Sequence, residues 1–184
     1  MRPGMGLEGA AALRAFVEGA STAMPLDLGF TPTVSVTPAR ALRVRGPVVR
    51  AQAVPAHAAS PILYGYERGI FPVYFNQAPL LQVQTRDTSI STRENEAQTD
   101  PAIVAELARL RARPILQFHE RQAYLLVSGL LVSGEELVRK AAVVDAPLGR
   151  GHVLYSAIRP FWRWESQGSF ALALNALANW NALR

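Results

Sequence analysis

The sequence contains no cysteine. That excludes disulfide bonds, thiolate metal centres and a cysteine nucleophile. Lysine is nearly absent as well: Lys140 is the only one among the 19 basic residues. No apolar run approaches the ~20 residues that a membrane-spanning helix needs, so no membrane partner is expected. At the start, "MRPGMGLEGAAALRAFVEG", Glu8 and Arg14 interrupt the apolar residues, so no secretory h-region forms. Histidine is scarce too, with His57, His119 and His152 dispersed along the chain. None has a glutamate at a spacing that puts a second ligand on the same face. His119 and Glu120 are adjacent and would point to opposite faces of a strand. A zinc site needs three or four converging ligands, so no metal ligand is assigned. The strained G-x-S-x-G elbow of a serine nucleophile is missing from "VSGLLVSGEE" and "QGSF". "PLGRGH" has two glycines but lies between two β runs, so it reads as a turn rather than a phosphate loop. No catalytic or cofactor-binding residue is therefore assigned.

What is present is a substantial core. The chain has 184 residues, 49% of them hydrophobic and 18% charged, which suits a single globular domain over 1–184. The net charge is +5. Arginine in place of lysine, with abundant alanine, is the bias that GC-rich coding produces. The basic residues are scattered, and Arg40, Arg43 and Arg45 come nearest to a cluster. The charge is thus read as compositional, and no nucleic-acid partner is expected; a basic nucleic-acid-binding module is kept as an alternative.

The element order mixes helices and strands. Residues 7–18 read as a helix, with Ala10, Leu13, Phe16 and Val17 at helical spacing and Gly19 as a stop. Residues 48–54 are strand-like, and 62–66 and 73–75 are short β-prone runs. Residues 85–99, "TRDTSISTRENEAQT", hold little apolar surface, so 86–98 are expected to be mobile. Asp100 and Pro101 then open a helix. Residues 114–118 read as a buried strand, and "GEELVRK" as a short helix. Residues 143–146 and 153–157 are expected to pair across a turn at 148–151, where glycine supplies positive φ. A last helix follows Ser166, its candidate N-cap, with Phe170, Ala173, Leu174 and Leu177 as core face. The expected class is α/β, a sheet flanked by helices.

Three stretches carry a resemblance: "SPILYGYERGIFPVYFNQAPLLQV", "LLVSGLLVSGEELVRKAAVVDAPLGRGHVL" and "RPFWRWESQGSFALALNALANW". Together they resemble the C-terminal region of large bacterial zinc carboxypeptidase-like proteins of the carboxypeptidase A type. There, a domain similar to class I glutamine amidotransferases follows the zinc peptidase domain. The resemblance implies a flavodoxin- or amidotransferase-like α/β fold, an exported parent family, and the peptidase domain as partner. The zinc would belong to that domain, so no cofactor is expected in this chain. The family label is metallopeptidase, yet the zinc ligands have no counterpart here, and the amidotransferase nucleophile is a cysteine. The role implied is therefore a non-catalytic accessory domain; a zinc carboxypeptidase by family label is the alternative.

Such proteins continue "FVE" into a Gly-Gly-Thr-apolar strand. Here "FVEGASTAMPLDLGF" passes into a loop, so the domain is expected to lack an N-terminal strand. An open sheet edge and self-association would follow, unless residues 20–24 supply a short strand themselves. The candidate interaction patch is Arg159, Phe161, Trp162, Arg163 and Trp164. Its aromatics can cover a sheet end. Its arginines can hold carboxylates or helix C-terminal carbonyls, and Gly168 would let the following helix pack close. The isolated chain should hydrolyse no peptide and retain no stoichiometric zinc. Equimolar zinc after dialysis, measured by atomic absorption, is the result that would contradict this.

Overall fold

The computed structural model of the chain describes residues 6–18, 22–23, 30–31, 33–66, 69–76, 80–84, 111–164 and 166–183. The expected mobile segment 86–98 and the helix after Asp100 lie outside the described residues. Among the described residues the architecture is α/β, with two helices and nine strands in one large, mostly antiparallel sheet. Helix α1 spans Gly6–Glu18 and α2 spans Gln167–Ala178. The strands are β1 (Thr22–Ala23), β2 (Val34–Thr37), β3 (Arg43–Ala53), β4 (Ile70–Tyr74) and β5 (Leu80–Val83). They continue as β6 (Arg113–Phe118), β7 (Leu126–Val132), β8 (Ala141–Leu148) and β9 (Gly151–Ser156).

The main path runs β1-β9-β8-β6-β3-β4, with the β2–β5 pair joined to β8 and with β7 beside β3. Among the described residues only β1 and β9 are parallel neighbours. A flavodoxin-type sheet is parallel and needs a crossover helix between successive strands. Among the described residues the pairings are mainly antiparallel, and there are two helices.

The expected hairpin is present. β8 and β9 pair from Val143↔Ser156 to Leu148↔Gly151, around a two-residue turn. Gly149 has φ +60°, the positive φ that such turns require at their first central position. Both strands are buried along nearly their whole length, which is why they read as continuous apolar runs. The strand expected to be missing is supplied in short form: Thr22 and Ala23 pair with His152 and Val153. The edge of β9 is therefore covered there, and α1 packs against β9 with Val17 fully buried. Phe16, assigned to the inward face of that helix, stays 63% exposed.

Strand β3 has eleven residues and serves two neighbours on one side. Its first part pairs with β7 and its last three residues with β6. Phe75 and Phe118 meet edge to face at 5.1 Å in the core. Each such buried aromatic contributes roughly 1.5–3 kcal/mol by burial. On the other side of β3 lies β4, an edge strand. Pro72 sits opposite Arg50 there, a position where its missing N–H is tolerated.

Several expectations are corrected. Residues 62–66 form no strand. Pro61–Leu63 is a single 3-10 turn, capped by Ser60, with Ile62 and Leu63 buried. Proline fixes the local φ, and the run is too short to find a ladder. "GEELVRK" forms only a 3-10 turn, Gly134–Leu137. The core face of α2 is rotated from the one expected. Ser169, Leu172 and Ala176 are buried, while Leu174 and Leu177 are 55% and 60% exposed. This helix is apolar nearly all round, so periodicity could not choose a face. Polar contacts choose it. Asn175 Nδ2 donates to the carbonyls of Ile62 and Tyr64, at 3.2 and 2.8 Å. The Tyr66 hydroxyl donates to Gly168 O at 2.6 Å. Ser166 stands at the N-cap of α2 as expected, but its side chain accepts no capping hydrogen bond; its hydroxyl donates to Arg159 O and Pro160 O instead.

One glycine is demanded by close approach. Between Arg45 and Val48 the β3–β7 register slips, leaving a bulge at Gly46 opposite Gly129. Gly129 has φ +85°, and a Cβ on it would lie 2.5 Å from Gly46 O. Gly168, read as a close-packing position, meets nothing within 4 Å. Gly129→Ala should therefore cost about 2–4 kcal/mol, combining strained φ with backbone overlap. Gly168→Ala should be neutral or stabilise by up to ~1 kcal/mol. Urea denaturation of both variants checks the contrast; equal effects would refute it.

Candidate functional site

The five residues singled out in sequence do meet at one corner. The chain leaves β9 at Ser156, and the Arg159 N–H donates to Tyr74 O at 3.2 Å, tying the corner to the end of β4. Trp162 stacks on Tyr74 at 5.6 Å with only 8° between the planes. The Arg159 and Arg163 guanidinium carbons lie 4.6 and 5.1 Å from the Trp162 ring centre. Each cation–π contact contributes roughly 0.5–1 kcal/mol at such a half-open site. Among the described residues the two arginines thus hold an indole, rather than the carboxylates or helix carbonyls anticipated for them.

Phe161 and Trp164 turn the other way. Both rings lie 5.3 Å from that of Phe170 on α2. They remain 53% and 72% exposed. Arg163 and Trp164 both have positive φ, +44° and +63°. Such a conformation costs a non-glycine residue on the order of 1–3 kcal/mol. The strained step is what separates Trp162, turned inward, from Trp164, turned outward. Leu174 and Leu177 follow Phe170 by four and seven positions on α2, so they share its stripe. Together these residues make an apolar surface running from the corner along the helix.

A second constellation was not assigned from the sequence. β6, β8 and β9 are neighbours, and their register places Arg113 directly opposite Asp145. Asp145 in turn faces Leu154, with His152 two residues along β9. The Asp145 side chain is 1% exposed, and it accepts from Arg113 Nη2 at 2.5 Å. His152 Nδ1 lies 2.8 Å from its other oxygen. Arg113 Nε is buried without a partner among the described residues. The signal in the sequence was an aspartate inside "AAVVDAPL". A lone charge in a doubly buried strand must find a partner.

Arg113 also lines a cleft of about 310 Å³, with His57, Ser60, Tyr64, Ile115 and Leu183 among its walls. Burial, and then the Arg113 cation, push the pKa of His57 below its usual value, against a smaller opposing effect of Asp145. His57 therefore favours its neutral form. The cleft has the polar groups to hold a small polar molecule, with apolar walls around them. No group of three or more histidine or acidic residues that could hold a metal occurs among the described residues.

Glu136 forms a third polar feature. Its carboxylate accepts the backbone N–H groups of Arg40, Ala41 and Leu42, at 2.8, 2.6 and 2.9 Å. Those donors, first of all that of Arg40, hold its carboxyl below the usual range. This clamp fixes the entry to β3 and with it the stretch that carries Arg40, Arg43 and Arg45.

Asp145→Asn should cost about 3 kcal/mol, since it leaves Arg113 without its counter-charge in a largely buried place. Replacing Arg113, Asp145 and His152 together by apolar residues of similar volume should cost less than that single change. Chemical denaturation of the two variants tests this, and a triple variant less stable than Asp145→Asn would overturn it. Compared with protein-family models, curated proteins and solved structures, the chain has no match.

Proposed function

We propose that this chain is a non-catalytic interaction domain that docks on another protein through the 161–164 corner and the outer stripe of α2. The observation that carries the reading is the joint exposure of Phe161, Trp164, Leu174 and Leu177, at 53%, 72%, 55% and 60%. Four large apolar groups on one continuous surface mark a binding face more often than scattered exposure does. Tryptophan held by a rigid corner is the residue type that dominates interface energetics. Trp162, clamped between Tyr74 and two arginines, keeps that corner stiff, so little ordering entropy is lost when a partner binds.

The sequence resemblance supplies the partner: the zinc peptidase domain of a carboxypeptidase-like parent. It also carries the finer assignment of the fold as amidotransferase-like. In this reading the zinc and the peptide hydrolysis belong to the peptidase domain. The cleft beside Arg113 is no part of that chemistry.

The test is titration calorimetry of this chain against the separately produced peptidase domain. Trp164→Ala should weaken binding about 30-fold, the effect of a buried tryptophan anchor worth ~2 kcal/mol. Its circular dichroism and unfolding midpoint should match the parent, because the side chain is mostly exposed. An unchanged affinity, or no binding by the parent chain, would refute the proposal.

A further inference from the structure

Strand β7 pairs on one side with β3, and no strand among the described residues pairs with its other side. Six of its seven residues are exposed. Leu126, Val127, Leu130 and Val132 are 39%, 46%, 51% and 47% exposed. None of the seven is charged and none is proline. Exposed edge strands usually carry one or the other, which keeps stray chains from adding to the sheet. This edge carries neither guard.

The neighbouring strand adds charge of one sign. Arg43 lies opposite Val132 and Arg45 opposite Leu130. Directly paired residues share a face, so a column of two exposed arginines runs beside a column of two exposed aliphatics. Arg40, also exposed, stands at the entry to the same strand. Among the described residues no carboxylate forms an ion pair with Arg43 or Arg45.

We propose that the free edge of β7 accepts an extended segment of another protein, one that alternates acidic and apolar residues, as an added strand. Ladder hydrogen bonds to the open N–H and C=O groups of β7 give such a complex its affinity. An added strand lies ~4.8 Å beyond β7, so it stands roughly 10 Å from β3. Arginine side chains laid across Leu130 and Val132 can bridge much of that span while keeping their charged ends in water. Carboxylates on the incoming strand meet them there. A second copy of this chain fits less well, because it brings the same arginines, which have no carboxylate partner among the described residues, and the same net charge of +5. Charge complementarity therefore selects an acidic partner. This surface is separate in sequence and structure from the aromatic corner, and either can fail without the other.

The probe is a fluorescein-labelled eight-residue peptide alternating Glu and Val, compared with its Lys–Val counterpart. Anisotropy is read with the full chain, and amide hydrogen exchange maps the contact. The Glu–Val peptide should bind at least tenfold tighter than Lys–Val and protect amides within 126–132. The double substitution Arg43→Gln with Arg45→Gln, both on an exposed face, should weaken binding about tenfold while the unfolding midpoint holds. Equal binding of the two peptides overturns the proposal, as does protection confined to 161–177. Concentration-dependent association of the free chain, with the same amides protected, would make a second copy the occupant. An RNA oligomer that binds tighter than the peptide and leaves 126–132 exchanging freely would assign Arg43 and Arg45 to nucleic acid. Either result counts against an acidic strand.

Discussion

One buried carboxylate organises the centre of this sheet. Asp145 sits on β8 with its side chain almost wholly excluded from water. A lone ionised group there would be strongly unfavourable. It is tolerated because β6 brings Arg113 to one oxygen and β9 brings His152 to the other. The consequence is register. If β6 slipped by one residue against β8, Arg113 would pass to the other face of the sheet and Asp145 would lose its cation. Burial by itself does not choose among registers in strands as uniformly apolar as β8 and β9. The charged row does, at a single place in each strand.

A second constraint operates at the other end of the molecule. The Glu136 clamp holds 40–42 and so sets where β3 starts. From there β3 runs through the bulge at Gly46 before it joins β6. A bulge adds a residue to one strand and increases local twist. That change of course lets one strand pair first with β7 and then with β6. It also leaves β7 at the margin, attached on a single side among the described residues. The polar clamp, the bulge and the exposed edge are thus parts of one arrangement.

What was legible in the sequence follows from these constraints. The β8–β9 hairpin could be read because its glycine turn and its apolar runs are local. α1 and β6 could be read because their apolar patterns fit one period each. β7 was not recognisable as a marginal strand, since "LVSGLLV" is as apolar as a core strand and its exposure depends on where β3 ends up. The rotation of α2 was hidden because leucine and alanine surround the helix. Only Asn175, Ser169 and the Tyr66 contact decide it, and their partners are 3 to 113 residues away. The Arg113–Asp145 pair spans 32 residues and exists only in one strand register. Composition cannot reveal it. The aromatic corner was legible as a cluster, but the division of labour within it was not. That division comes from two consecutive residues with positive φ, which the sequence "FWRWES" does not announce.

The two exposed surfaces differ in how they would recognise a partner. At the corner, the Arg159 N–H and the Arg159 and Pro160 carbonyls already have partners, and large aromatic side chains are exposed. Affinity there must come from apolar area and from the rigidity that the Trp162 stack imposes. At β7 the exposed side chains are aliphatic, and the outer side of the main chain pairs with no strand among the described residues. Main-chain pairing is tolerant of sequence, so an edge of this kind needs a second feature to discriminate among segments. The arginines on β3 provide it, since they favour carboxylates and disfavour cations at the same distance. A surface read by shape and a surface read by charge can therefore sit on one small domain without competing for the same partner. The structural condition is that α2 and β7 stay on separate parts of the fold. The Asn175 contacts keep the first against 62–64, and the bulge keeps the second at the margin.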